Sequence, residues 1–143
     1  MNKIFSFILL ITLSCQSYAN SFNAKYIKNY DGDTITVDLD CDTDFFCKNI
    51  NIRLLGINTP EIRTKNKCEK VKGYKAKQFV KDRLSNANKI ELKDCFKGKY
   101  FRLVCNIIYD GKNLSKELLK SKLAYPYSGG TKQKINLCDN VLE

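Results

Sequence analysis

Tyr30-Asp31-Gly32-Asp33-Thr34-Ile35-Thr36-Val37-Asp38-Leu39-Asp40 holds a tight turn and the strand that leaves it. Ile35, Val37 and Leu39 alternate with Thr36, Asp38 and Asp40, the period of a strand with one face buried. Asp31-Gly32-Asp33 has turn composition, so a first strand over Ala24–Tyr30 runs back against the second over Thr34–Asp40. Asp42 to Lys48 reads as a polar loop, and Asn49 to Ile57 as a third strand. Pro60 ends that strand, because the residue before a proline is kept extended.

Further along, the period lengthens. Val71, Tyr74, Phe79, Val80, Leu84 and Ala87 recur at three-to-four spacing, which predicts a helix from Glu69 to about Asn86 with those residues inward. Lys89–Asp94 and Phe101–Tyr109 form a second hairpin around Phe96-Lys97-Gly98-Lys99. A second helix, Asn113–Leu123, buries Leu114, Leu118, Leu119 and Leu123 and is capped by Asn113. Tyr125-Pro126-Tyr127 makes an irregular exit. Three strands, a helix, two strands and a helix describe an α+β domain. A five-stranded barrel of the oligonucleotide-binding (OB) type with two to three packed helices fits this order, and an antiparallel α+β sandwich fits the periodicity nearly as well.

The 143 residues carry 25 Lys and Arg against 15 Asp and Glu, a formal charge of +10, and no histidine. The length suits one domain. The charge favours polyanionic partners. Without histidine, hydrolytic chemistry falls to carboxylates, arginines, hydroxyls or a metal. Lys3 followed by Ile4–Leu13 and then Ser17-Tyr18-Ala19 has the form of a signal peptide. Residues 1–19 are expected to be removed, leaving a single domain over 20–143 that is secreted or periplasmic. The apolar run is too short to span a bilayer.

Cleavage after Ala19 removes Cys15 and leaves Cys41, Cys47, Cys68, Cys95, Cys105 and Cys138. An even set in an exported chain implies disulfides, and sequence alone does not choose among the many pairings. The expected set is Cys41–Cys47, Cys95–Cys105 and Cys68–Cys138. Zinc is disfavoured, with no CxxC pair and no histidine.

Four segments carry a resemblance: Tyr30–Thr34, Ile52-Arg53-Leu54-Leu55-Gly56-Ile57-Asn58-Thr59-Pro60-Glu61, Lys99-Tyr100-Phe101-Arg102 and Tyr109-Asp110-Gly111-Lys112. In order and spacing they resemble the motifs of the staphylococcal nuclease (thermonuclease) family, over about Ala24 to Tyr127. The resemblance implies the OB-type barrel. It also implies calcium-dependent (Ca2+) cleavage of DNA and RNA that leaves 3′-phosphates. By that likeness Arg53, Glu61 and Arg102 are catalytic, and Asp33 and Thr59 are calcium ligands, Thr59 through its carbonyl. Lys99 and Tyr100 hold a phosphate, and Tyr127 (or Tyr125) meets a base.

These roles are also chemically coherent. A cation at Asp33 neutralises a phosphate oxygen, Glu61 activates water, and two guanidiniums stabilise charge on the reacting phosphorus. Two positions depart from the family pattern. Asn58 stands where many members have an aspartate ligand. Its amide oxygen can still coordinate calcium, with one negative charge fewer and weaker affinity. Phe101 replaces a common glycine. The lysines around Lys65–Lys81 show no ordered code for reading bases, so low sequence specificity is expected. Nothing demands a protein partner, a membrane or a dimer. The rival from another class is a non-catalytic OB-type module that binds single-stranded nucleic acid.

Overall fold

A computed structural model gives the architecture and describes residues 21–41 and 44–131, without the side chains of Asp44, Phe45 and Phe101. The expected signal peptide and Cys138 lie outside the described residues.

The alternating segment forms β2 (Thr34–Leu39), with Ile35 and Val37 fully buried. It pairs antiparallel with β1 (Ser21–Asn29) and with β3 (Ile50–Leu54). β5 (Ile90–Lys97) joins the free side of β1 and pairs with β6 (Leu103–Tyr109). β6 then runs parallel to β3, Arg53 opposite Val104, and this pairing closes a five-stranded barrel. The barrel, not the sandwich, is the fold. Closure joins strands far apart in sequence and leaves no local periodicity to announce it.

The third expected strand is interrupted. Gly56, at φ +79°, turns the chain after β3, and β4 (Ile57–Asn58) pairs instead with β8 (Tyr125–Pro126). The exit expected to be irregular therefore contributes a short strand. Within the expected polar loop, Asp44–Cys47 forms one helical turn, α1, and Cys47 is bonded to Cys41. Cys95 and Cys105 are bonded across β5 and β6. Cys68 has no disulfide partner among the described residues.

α2 spans Lys67–Ser85, capped by Asn66, whose side chain accepts the Glu69 N–H. Its buried face corrects the expected one: Gly73, Ala76, Val80 and Leu84 point inward, while Val71 and Tyr74 are about half exposed. The reason is steric. A Cβ on Gly73 would lie 2.8 Å from the Pro60 carbonyl oxygen. A Cβ on Gly32 would lie 2.7 Å from the Cβ of Ala76 and from Cγ2 of Thr59. Only small residues let the helix approach the Asp31–Asp33 turn and the Thr59–Glu61 segment this closely, so hydrophobicity misidentified the first two turns. After β6, β7 (Lys112–Asn113) leads into α3 (Leu114–Lys120). Asn113 caps α3 as expected, and Leu114 and Leu118 are fully buried. No helix among the described residues is long and apolar enough to cross a membrane.

Candidate active site

The site grows from the turn that the opening stretch encodes. Asp31 Oδ1 accepts the backbone N–H groups of Asp33 (3.1 Å) and Thr34 (2.7 Å), an Asx-type turn that fixes Asp33 at the mouth of β2. Asp33 is 1% exposed. Its Oδ2 accepts the Thr59 N–H at 2.8 Å, and Arg53 Nη1 donates to its Oδ1. The neighbouring guanidinium nitrogen, Nη2, donates to Asn58 Oδ1 at 2.5 Å and to the Ile57 carbonyl at 3.3 Å. Arg53 therefore bridges Asp33 and Asn58. Asn58, also 1% exposed, donates through Nδ2 to the Tyr125 hydroxyl.

The electrostatics are those of a carboxylate short of positive charge. Burial pushes the Asp33 carboxyl up from 3.8 to about 6. Arg53 opposes that rise, the charge on Asp31 adds to it, and the Thr59 N–H lowers it slightly. One guanidinium does not offset the desolvation.

Glu61 is positioned from behind by α2. Its backbone N–H donates to Glu69 Oε1 at 3.2 Å, while Glu69 Oε2 accepts the Thr64 hydroxyl at 2.8 Å. One side chain on the first turn of the helix thus holds both ends of the Glu61–Thr64 loop. The close approach at Gly73 sets the loop's distance from the helix.

Arg102 precedes β6. Alternation places it on the same face as Val104, the partner of Arg53, and so toward the Arg53 side of the closed barrel. Arg102 forms no ion pair among the described residues. Lys99 and Tyr100 sit in a short 3-10 turn between β5 and β6. Tyr100 is 83% exposed and takes the left-handed conformation, φ 57°. Gly98 permits this tight connection, since a Cβ there would meet Val104 Cγ2 at 2.6 Å.

Asp33, Arg53, Asn58 and Thr59 are therefore in direct contact, and Glu61 follows on the same segment. Tyr127 is attached through its backbone N–H to the Gly56 carbonyl, and its hydroxyl donates to the Gly130 carbonyl. The aromatic ring in contact with the cluster is Tyr125. Sequence reasoning missed two supporting residues. Glu69 had a signal, the Asn66-x-x-Glu69 pattern of a helix start. The Asn58–Tyr125 contact had none, since it joins residues 67 apart in sequence on the short paired strands β4 and β8.

The donor set suits a hard cation. Asp33 and Asp31 carboxylates, the Asn58 amide oxygen and the Thr59 carbonyl are all oxygen donors. The raised Asp33 carboxyl shows that added positive charge would be favourable there. No group of three or more His, Cys, Asp or Glu side chains suited to a metal occurs among the described residues, so a cation bound here would need amide, carbonyl or water oxygens beside the carboxylates.

Comparison with known proteins agrees with this geometry. The family model described as staphylococcal nuclease homologue matches residues 51–139. The SPbeta prophage-derived endonuclease YokF of Bacillus subtilis (strain 168) is 35% identical over 71% of this chain. Endonuclease YncB of the same organism is 34% identical over 77% of it, and the thermonuclease of Staphylococcus hyicus 34% identical over 76%. This chain spans 34%, 52% and 58% of the length of those three proteins respectively. With the family match covering more than half of its residues, from β3 onward and including Arg53, Asn58, Thr59, Glu61 and Arg102, the chain belongs to the staphylococcal nuclease family.

Proposed function

We propose that this chain is an exported, calcium-dependent nuclease. It hydrolyses phosphodiester bonds of DNA and RNA with low sequence specificity, leaves 3′-phosphates and works as a monomer. The observation that carries the proposal is the Asp33–Arg53–Asn58 cluster, joined at Thr59 to the segment bearing Glu61, with Arg102, which forms no ion pair among the described residues, entering β6 beside the Arg53 pairing. Family membership and relatives named as nucleases support it.

Each residue has work suited to its chemistry. Asp33 and Asp31, with the oxygens of Asn58 and Thr59, would hold calcium. That ion, when bound, supplies positive charge to a non-bridging phosphate oxygen. Glu61, held through its backbone by Glu69, takes a proton from the attacking water. Arg102 donates to the phosphate oxygens as negative charge builds on phosphorus, and Arg53 orients Asp33 and Asn58 while adding its own charge. Water attacks phosphorus in line, the bond to the 5′-oxygen breaks, and phosphate remains on the 3′ side. Lys99 and Tyr100, exposed on their turn, hold a neighbouring phosphate.

The test uses the oxidised chain from Asn20 with single-stranded DNA and RNA, in calcium or in chelator, beside Glu61→Gln. Calcium-dependent cleavage, reduced by about 100-fold or more in Glu61→Gln, is expected. Binding without cleavage at high calcium would overturn the nuclease and leave a nucleic-acid-binding module.

A further inference from the structure

A cavity of about 490 Å³ opens beside the Asp33 cluster, between the end of β1, the loop after Glu61 and the outer face of α2. It is open to solvent along one side, a groove rather than an enclosed pocket. Tyr30, Arg63, Lys65, Lys70, Tyr74 and Lys77 line it. None of the four cations forms an ion pair among the described residues, and no carboxylate lines the wall. Tyr30 and Tyr74 are 48% and 52% exposed, so ring surface remains available to a ligand. The Arg63 guanidinium lies over the Tyr30 ring, 5.1 Å from its centroid. That stacking restrains the arginine and lowers the ordering cost of using it on a ligand.

Lysines along an exposed helix are ordinarily just solvated. Here they share a concave wall with two half-exposed aromatic rings, a combination that matches a ligand both anionic and flat. Continuity with the active site narrows it further. Tyr30 directly precedes Asp31, Arg63 lies two residues past Glu61, and Asn29 ties the two walls by donating to the carbonyls of Asp31 and Lys77 at 2.7 and 3.0 Å. A strand threaded past Asp33 and Glu61 would reach this cavity with its next nucleotides. Lys99 and Tyr100 belong to a different connection, between β5 and β6.

We propose that this cavity is an additional nucleotide subsite, in which a base of the substrate strand stacks on Tyr74 and an adjoining phosphate is held by Arg63 with the lysines. The proposal rests on the nuclease reading of the neighbouring site and deepens it, making affinity depend on strand length. A stacked base contributes enough that its loss weakens binding by about tenfold.

Competition binding of non-hydrolysable phosphorothioate thymidine dinucleotide and octanucleotide tests this on the oxidised chain, with Tyr74→Ala and Arg63→Gln as variants. Tyr74→Ala should weaken the octanucleotide by about tenfold and leave the dinucleotide unchanged. Arg63→Gln should lower the slope of log affinity against log salt by about one unit. An octanucleotide carrying 5-iodouracil should photocrosslink to Tyr74. Equal effects on both lengths, or no effect of Tyr74→Ala, would overturn the subsite. So would displacement of the octanucleotide by polyphosphate of equal charge as readily as by itself, which would mark a diffuse polyanion patch. Unmodified oligonucleotide assayed in parallel separates the two proposals. Cleavage that ignores Tyr74 sinks the subsite alone, and length-dependent binding through Tyr74 without any cleavage sinks the nuclease alone.

Discussion

Titrating Asp33 probes the site without substrate. Its carboxyl is raised from 3.8 to about 6, chiefly by burial. The folded protein therefore binds the proton more tightly than the unfolded chain does. Stability from this group is fully present below about pH 4 and lost as pH rises through about 6. Each pKa unit corresponds to about 1.4 kcal/mol, so a rise of about two units makes the loss about 3 kcal/mol. Other carboxylates titrate in the same window, so the quantity to measure is the difference between wild type and Asp33→Asn. Asparagine keeps an acceptor oxygen for the Thr59 N–H and does not titrate. In urea denaturation with a chelator present, Asp33→Asn should gain about 3 kcal/mol on wild type between about pH 4 and pH 7. Calcium at about 100 times its dissociation constant should return about 2.7 kcal/mol to wild type, only where Asp33 is ionised. A difference that stays flat, or moves toward wild type as pH rises, would falsify the reasoning. It would show that the Arg53 ion pair outweighs burial.

Three further perturbations test other parts of the structure. Asn58→Asp restores a carboxylate between Arg53 and Tyr125, and calorimetric titration should show calcium binding several-fold tighter; unchanged affinity would remove Asn58 from the ligand set. Gly73→Ala should gain up to about 1 kcal/mol of helix propensity and lose more to overpacking, because its Cβ meets backbone at Pro60 and Glu61 rather than a yielding side chain. A net loss of about 1–2 kcal/mol in urea, with reduced kcat, is expected; a more stable and fully active variant would show that Gly73 does not set the Glu61 loop. Replacing Cys95 and Cys105 together by serine opens a bridge of sequence separation 10 and should lower stability by about 2–3 kcal/mol while leaving activity at low temperature, measured by urea melts beside cleavage assays.

The legible parts of the fold are those written in local pattern. Ile35 and Val37 alternate because one face of β2 meets the core, and Asn113 announces α3 because a capping side chain must lie next to the N–H it accepts. Local pattern left barrel and sandwich open, since β3 and β6 meet through tertiary packing, and the family resemblance was what favoured the barrel that the structure shows. The inward face of α2, where glycine and alanine serve close approach rather than hydrophobicity, and the two-residue strands β4 and β8 were not legible. At the site, the family resemblance pointed to Asp33, Arg53 and Thr59, and to Asn58 as the departing ligand position, and the fold brings the four together. Tyr125 could not be placed, because its contact with Asn58 depends on where the chain returns after α3.

The parallel pairing of β3 with β6 also decides when the candidate site is assembled. Arg53 lies on β3 and Arg102 just before β6, so the two are brought together only when that pair forms, and non-local pairing is a slow kind of step in folding. A chain still being made, or passing unfolded through a cell, holds its arginines far apart and has no assembled centre. On the proposed function, cleavage then waits for the cylinder to seal.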